Sequence, residues 1–220
     1  MKAIFVLLGA AAACASLNAA NDAVRRLETS AIVLDEIMSA PDKGIPEDLF
    51  HKAACVVVIP GVKKAAFIVG GKYGKGFIEC RRQNGAWSAP AAVRVEGGSV
   101  GFQIGGSETD VVLLVMNQRG MDKLLSSKFT IGADASAAAG PVGRTSSAAT
   151  DAQMHAEILS WSRARGVFAG ISLEGATLRP DEDSNKDLYG KTLTNRDIVM
   201  GNVQPPAGAA KLQDALRKYS

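Results

Sequence analysis

Aromatic residues make up only 5% of this 220-residue chain, and histidine occurs twice. A core so short of large rings must be built from Val, Ile, Leu and Ala. The 23 glycines let backbones approach closely, and together these features favour a sheet over a helix bundle. No apolar run beyond the first 20 residues reaches the ~18 needed for a membrane span. An excess of one charge is also lacking: 25 basic residues stand against 22 acidic ones, a net charge of +3. A field that weak does not hold nucleic acid, so any electrostatic partner must be engaged by a local cluster. At 47% hydrophobic and 21% charged residues a disordered chain is excluded, and the length suits one large domain with a full core.

The first segment reads as an address. Met1-Lys2 gives a minimal positive start, Ile4 to Ala15 is an apolar stretch, and small residues follow through Ala20, the pattern of a secretory leader. The expected division is therefore a signal peptide over 1–20 and a single domain over 21–220. Ala11-Ala12-Ala13-Cys14 also resembles a bacterial lipobox, in which Cys14 would be lipidated. The expected location is periplasmic or secreted, with membrane anchoring as a lipoprotein the alternative.

From Asn21 onward Val24, Leu27, Ala31, Leu34 and Met38 recur at spacings of three and four, with charges between them. This predicts an amphipathic helix ending before Pro41. It either packs on the domain or lies on a membrane surface. A short helix follows near Glu47–Lys52. Apolar runs separated by glycine then predict strands over 54–59, 65–70, 76–82, 100–104 and 109–117. Pro60-Gly61, Gly70-Gly71 and Asn84-Gly85 stand as the turns between them. Residues 119–126 read as a helix and 129–139 as extended chain. A second hairpin is expected from 157–162 and 166–178, and terminal helices over 195–200 and 206–219. The expected fold class is α+β: a single domain on a Gly-rich antiparallel meander, curled or barrel-like, with an N-terminal amphipathic helix and short C-terminal helices.

Candidate reaction centres do not assemble. Gly97-Gly98-Ser99-Val100-Gly101 fits the nucleophile-elbow string but leads into strand-like sequence rather than a helix. Gly70 to Gly76 lacks the spacing and the Ser or Thr of a phosphate-binding loop. His51 and His155 lie in helix-like or polar sequence, and neither is read as a base or a zinc ligand. Asp181, Asp183, Asn185 and Asp187 alternate like the start of a calcium loop, but its glycine position is Lys186 and its closing Glu position is Thr192. The stretch is expected to be an exposed acidic loop, with a metal there left open. No catalytic residue, cofactor or metal is assigned, and the chain is not expected to be an enzyme.

Cys55 and Cys80 remain after the leader. In a plain meander they fall on outer strands two spacings apart, roughly 9–10 Å, beyond disulfide reach. Two separate thiols are expected. Trp87, between Asn84-Gly85 and Pro90, is expected to be buried and to close one end of the sheet.

Several strings together resemble the SYLF-domain family: Gly44-Ile45-Pro46, Val58-Ile59 through Phe67, Asn84-Gly85-Ala86-Trp87-Ser88-Ala89-Pro90-Ala91, Phe102-Gln103-Ile104-Gly105 with Thr109-Asp110, Ala139 to Arg144, Arg165 to Gly175, and Tyr189-Gly190. The likeness runs from about Ala23 to Tyr219. It implies a module binding acidic phospholipids, phosphoinositides in eukaryotic members, with actin binding in fungal ones. It also implies that an N-terminal amphipathic helix and basic surface residues meet the membrane. The matching positions are Arg25 and Arg26 on the helix and Lys63, Lys64, Lys72 and Lys75 on the hairpins. Lys72-Tyr73-Gly74-Lys75 and the leader depart from the family pattern.

The expected function is thus a non-enzymatic envelope module docking on anionic head groups through a basic, glycine-rich edge. Its partner is a membrane surface. The alternative is a structural component that pairs with an envelope protein. Lys72 and Lys75, taken as flanking a hairpin tip, form the primary pair. Lys63 and Lys64, taken to lie in a turn at the opposite end of the middle strand, are secondary.

Overall fold

A computed structural model describes residues 2–40, 44–66, 69–100, 105–141, 153, 155–164, 167–168, 173 and 175–220, with the side chains of 2–19, 65–66, 69–70, 99–100, 105–107 and 167–168 left aside. Six α-helices are described: α1 (Lys2–Met38), α2 (Glu47–Lys52), α3 (Gln118–Leu124), α4 (Glu182–Tyr189), α5 (Asn195–Met200) and α6 (Ala210–Lys218). The strands are β1 (Cys55–Ala66), β2 (Val69–Cys80), β3 (Ala91–Val100), β4 (Gly105–Val115), β5 (Phe129–Thr130), β6 (Ala137–Ala139), β7 (Ile158–Ala164), β8 (Val167–Phe168) and β9 (Thr177–Pro180). They form one curled sheet in the order β5-β9-β3-β2-β1-β4-β7-β6, with β8 paired to β7. Every pairing is antiparallel except β6 with β7. The α+β expectation therefore holds.

The expected limits of the first strands do not. The strand expected at 54–59 runs on to Ala66 as β1, and residues 69–70 of the strand expected at 65–70 already belong to its direct partner β2. Pro60-Gly61 is a bulge inside β1 rather than a turn. The register slips there against both β2 and β4, as an extra residue on one strand requires. Gly61 takes a positive φ of 58°, and its N–H donates to Asp110 Oδ1 at 2.9 Å. Just before it, opposite Val58 and Ile59, a Cβ on Gly76 would stand 2.0 Å from the Val58 carbonyl oxygen, so only glycine permits the close approach of the two strands. Strand β4 returns to pair with β1 rather than β3. Strand β3 was not expected over 91–100. The Gly166–Leu178 arm of the second hairpin is also revised: β8 pairs with β7, while β9 joins β3. Residues 101–104, 142–144, 165–166 and 169–172, which carry parts of the resemblance, lie outside the described residues.

Both sheet faces are covered, which is why Cys55–Ile59 and Val111–Val115 are buried at every position instead of alternating. One face, with Val57, Ile59, Val93, Val95, Val111 and Leu113, packs against α3, β5 and α5 through Leu124, Phe129 and Ile198. The other, with Val56, Val58, Phe77, Val112 and Trp161, packs against α1, α2 and α6 through Leu27, Leu34, Ile37, Phe50 and Leu212. Cys55 and Cys80 stand opposite each other across β1 and β2, Cα atoms 3.9 Å apart, and are joined in a disulfide. The expectation of two separate thiols is wrong because it inserted a strand between them where the chain has none.

Candidate functional site

At one end of the four central strands the paired residues are mostly glycine and alanine. Ala65 and Ala66 face Gly71 and Gly70 across β1 and β2, and Gly106 and Gly105 across β1 and β4. Gly71 and Lys72 face Gly98 and Gly97. At the root of this glycine belt sit the lysines. Lys64 is directly opposite Lys72, and Lys63 opposite Tyr73. The lysines of the two segments are therefore at one end of the hairpin, not at opposite ends: the turn expected between them is the bulge, and β1 runs straight through it. Lys72 and Lys75 likewise lie within β2 rather than at a tip.

Alternation along the strands puts Lys64 and Lys72 on the face of Val62, and Lys63, Tyr73 and Lys75 on the other. Like charges placed directly across a sheet repel. Burial, and next the charge of Lys64, hold the Lys72 ammonium below its usual pKa. Tyr73 is 47% exposed and presents a ring with a polar tip beside Lys63.

Lys75 belongs to a different environment. Its Nζ is 2.7 Å from Asp181, whose side chain is 2% exposed. Burial would raise the Asp181 carboxyl, but Lys75 and the Ser184 hydroxyl, donating at 2.7 Å, together hold its pKa below the usual value. Lys75, Arg94 and Arg179 line up across three strands. Glu96 sits 2.8 Å from Arg94 and 3.7 Å from Arg179. In this row the Lys75–Asp181 pair fastens the N-cap of α4 to β2, while Glu96 ties β3 to β9. Lys75 is thus tied to a buried acid from within β2, instead of flanking a hairpin tip as expected.

The acidic stretch expected as an exposed loop is helix α4. Its Asp181 and Asn185 are buried. Asn185 Oδ1 accepts from the Ala92 N–H at 2.7 Å, its Nδ2 donates to Asn195 Oδ1 at 2.7 Å, and Asn195 Nδ2 donates to the Ala92 carbonyl at 3.0 Å. The alternating oxygens that suggested a cation loop include groups spent on sewing α4 and α5 to β3.

Helix α1 buries Ala23, Leu27, Ala31, Leu34, Ile37 and Met38 against the domain, leaving Ile32 exposed. Glu28 pairs with Lys211 and Asp35 with Lys218, both at 2.9 Å. Arg163 bridges Glu36 and Asp110. The apolar stripe is consumed inside the fold, so the described part of α1 packs on the domain rather than offering a free membrane-binding face. Arg25 is exposed and paired with Asp22; Arg26 is half-buried.

A family model described as "Ysc84: Las17-binding protein actin regulator" matches residues 96–219, more than half of the chain. The chain belongs to the Ysc84 family. Among relatives of this family, the SH3 domain-containing YSC84-like protein 1 of Rattus norvegicus is 33% identical over 183 residues, 83% of this chain and 54% of its own. An SH3 domain-containing protein of Schizosaccharomyces pombe is 37% identical over 175 residues, 78% of this chain and 40% of its own. The LAS seventeen-binding protein 3 of Saccharomyces cerevisiae is 30% identical over 194 residues, 87% of this chain and 42% of its own. The chain spans about half the length of these relatives or less.

The Ysc84 match runs from Glu96, midway along β3, to Tyr219 after α6. It takes in the Asp181 and Asn185 junction that sequence reasoning missed. The signal for that junction was weak, since three carboxylates in four residues read as solvated. Trp87, as expected, is buried: it lies 6.0 Å from Phe50 and 4.4 Å from the Arg81 guanidinium, and its indole N–H donates to Ser220 Oγ at 2.8 Å.

Proposed function

We propose that this chain is a secreted or periplasmic, non-catalytic module that binds acidic phospholipids through the glycine-rich end of its sheet. Lys64 and Lys72 are the central pair, with Lys63 and Tyr73 beside them. Lys75, Arg25 and Arg26 contribute only to the surrounding field. The observation that carries this reading is the direct cross-strand opposition of Lys64 and Lys72 against a backbone with few side chains. A phosphate between them relieves their repulsion, and neighbouring glycines let it come close to main-chain groups. Membership of a family described as an actin regulator gives a protein partner as the alternative, one that would serve an envelope protein just as well.

The extracytoplasmic location rests on the leader reading of 1–20 and on the Cys55–Cys80 disulfide, a bond that persists in oxidising compartments. Among the described residues, no helix is long and apolar enough to cross a membrane. Intact mass of the protein from its host tests the leader: a chain starting between Cys14 and Asn21 supports it, with an added lipid mass marking Cys14, and retention of Met1 refutes it.

The lipid site is tested by co-sedimentation with phosphatidylglycerol vesicles against pure phosphatidylcholine. Each lysine near such a surface contributes ~1 kcal/mol, so Lys64→Glu with Lys72→Glu should weaken binding about tenfold or more at low salt. Unchanged binding of the double variant removes this end of the sheet from the site. No vesicle binding by either protein favours the protein-partner reading.

A further inference from the structure

At the end of the sheet remote from the lysines, β2 runs past Cys80 into Arg81 and Arg82, where α3 and the C-terminal end of α5 flank an open cavity of about 640 Å³. That size lies in the range of small-molecule sites, roughly 300–1,000 Å³. Amides and guanidinium groups line one part, including Arg82, Asn84, Gln118 and Asn202, and Met121 and Met200 supply apolar contact. The residues that line it include no carboxylate. By contrast Arg94, Arg163 and Lys218 each lie against a carboxylate.

The two arginines differ in what they have left to give. Arg81 is committed: its Nε donates to the Ala53 carbonyl at 3.2 Å, its Nη2 to the Phe50 carbonyl at 3.4 Å, and its guanidinium lies over Trp87. Arg82 donates through Nη2 to the Gly201 carbonyl at 3.0 Å, which fixes its orientation, while its Nε is buried with no hydrogen-bond partner. With one carbonyl as its partner and no carboxylate in the cavity lining, the Arg82 guanidinium keeps donors for an acceptor from outside. A charged donor is best answered by an anion.

We propose that this cavity binds a small organic monocarboxylate with a short apolar body, its carboxylate received by Arg82. The donors that Arg82 has to spare match the two oxygens of one carboxylate, and the methionines match an apolar body rather than the four oxygens of a phosphate. The amides of Asn84, Gln118 and Asn202 donate to the remaining carboxylate lone pairs, and the body lies against Met121 and Met200. This site is independent of the lysine end and of the lipid reading.

The experiment is a nitrogen-15 NMR titration of the full chain with hexanoate, with hexanamide as its neutral counterpart and inorganic phosphate as a competing anion. Hexanoate should shift the Arg82 Nε–H resonance and the backbone amides of Asn84, Gly201 and Asn202 saturably, with hexanamide at least about tenfold weaker. Arg82→Gln should weaken hexanoate binding by a similar factor. Gln118→Glu, at an exposed position, should do the same by placing a carboxylate in the cavity while leaving the melting temperature unchanged, which separates loss of the site from loss of the fold. Absence of saturable shifts, equal binding of hexanamide, phosphate binding as tight as hexanoate, or unaffected binding by Gln118→Glu would each overturn the proposal.

Discussion

Replacing both Cys55 and Cys80 by alanine removes a cross-link between residues 25 apart in sequence without leaving an unpaired thiol in the core. In the folded protein little else changes. The two positions are 0% and 1% exposed, and the hairpin they close is already paired residue by residue from Cys55 with Cys80 to Val58 with Phe77. The effect therefore falls mainly on the unfolded chain, which regains the freedom of an open loop. For a loop of that length the chain-entropy relation gives about 3.5 kcal/mol at 25 °C. At ~2–4 °C per kcal/mol for a domain of this size, that is a fall of about 7–14 °C in melting temperature. Urea denaturation of the oxidised wild type and the double-alanine variant measures the first figure, and calorimetry the second. Alkylation of the reduced, refolded wild type adds a control: two thiols so deeply buried should react only after unfolding. A variant within about 1 kcal/mol of wild type would refute the account of the bond as a constraint on the unfolded chain. A wild type whose cysteines alkylate without reduction would refute the pairing itself.

Trp87→Ala removes the contact with Phe50, the stacked Arg81 and the indole bond to Ser220, and should cost about 3–5 kcal/mol in urea denaturation. A variant of unchanged stability would show that the ring does not close the core. Glu79 is buried beneath α6, accepting from Gln213 Nε2 at 2.7 Å. Burial pushes its pKa from 4.5 up to about 8, and the Gln213 bond offsets only part of that rise. The folded protein therefore holds a proton that the unfolded chain releases above about pH 4.5. The stability this proton contributes is fully present below that pH and is lost as pH rises toward about 8. Glu79→Gln should accordingly gain on wild type by a few kcal/mol between pH 5 and pH 9 in paired urea titrations. An equal difference at both pH values would refute the burial assignment.

The fold class could be read from the sequence because glycine spacing and apolar runs mark strands whatever their partners. The order of those strands could not. Pro60-Gly61 carries the residues of a turn and also those of a bulge, and only the partner strand decides between the two. That one ambiguity split β1 in two, moved Cys55 away from Cys80, and set Lys63 and Lys64 apart from Lys72. Strand β3 was legible and missed: Val93 and Val95 alternate with Arg94 and Glu96, the period of a strand with one apolar face. At the candidate site, the identity of the lysines was visible in the sequence, but their partners were not. Nothing near Lys75 in the chain announces Asp181, which reaches it only because β9 pairs with β3. Arg82 was not singled out at all, since an unpaired guanidinium is recognised only when its surroundings are known.

The β1–β2 hairpin resembles a pair of tongs. Its jaws are covalently riveted at Cys55–Cys80, and its tips are glycine and alanine. From Cys55 to Lys64 the strand rise amounts to ~30 Å, and between them the register of β1 slips against both neighbours at Pro60-Gly61. The hairpin is thus pinned covalently at the end that lies between the two cores, and its ladder is interrupted once on the way to the lysines.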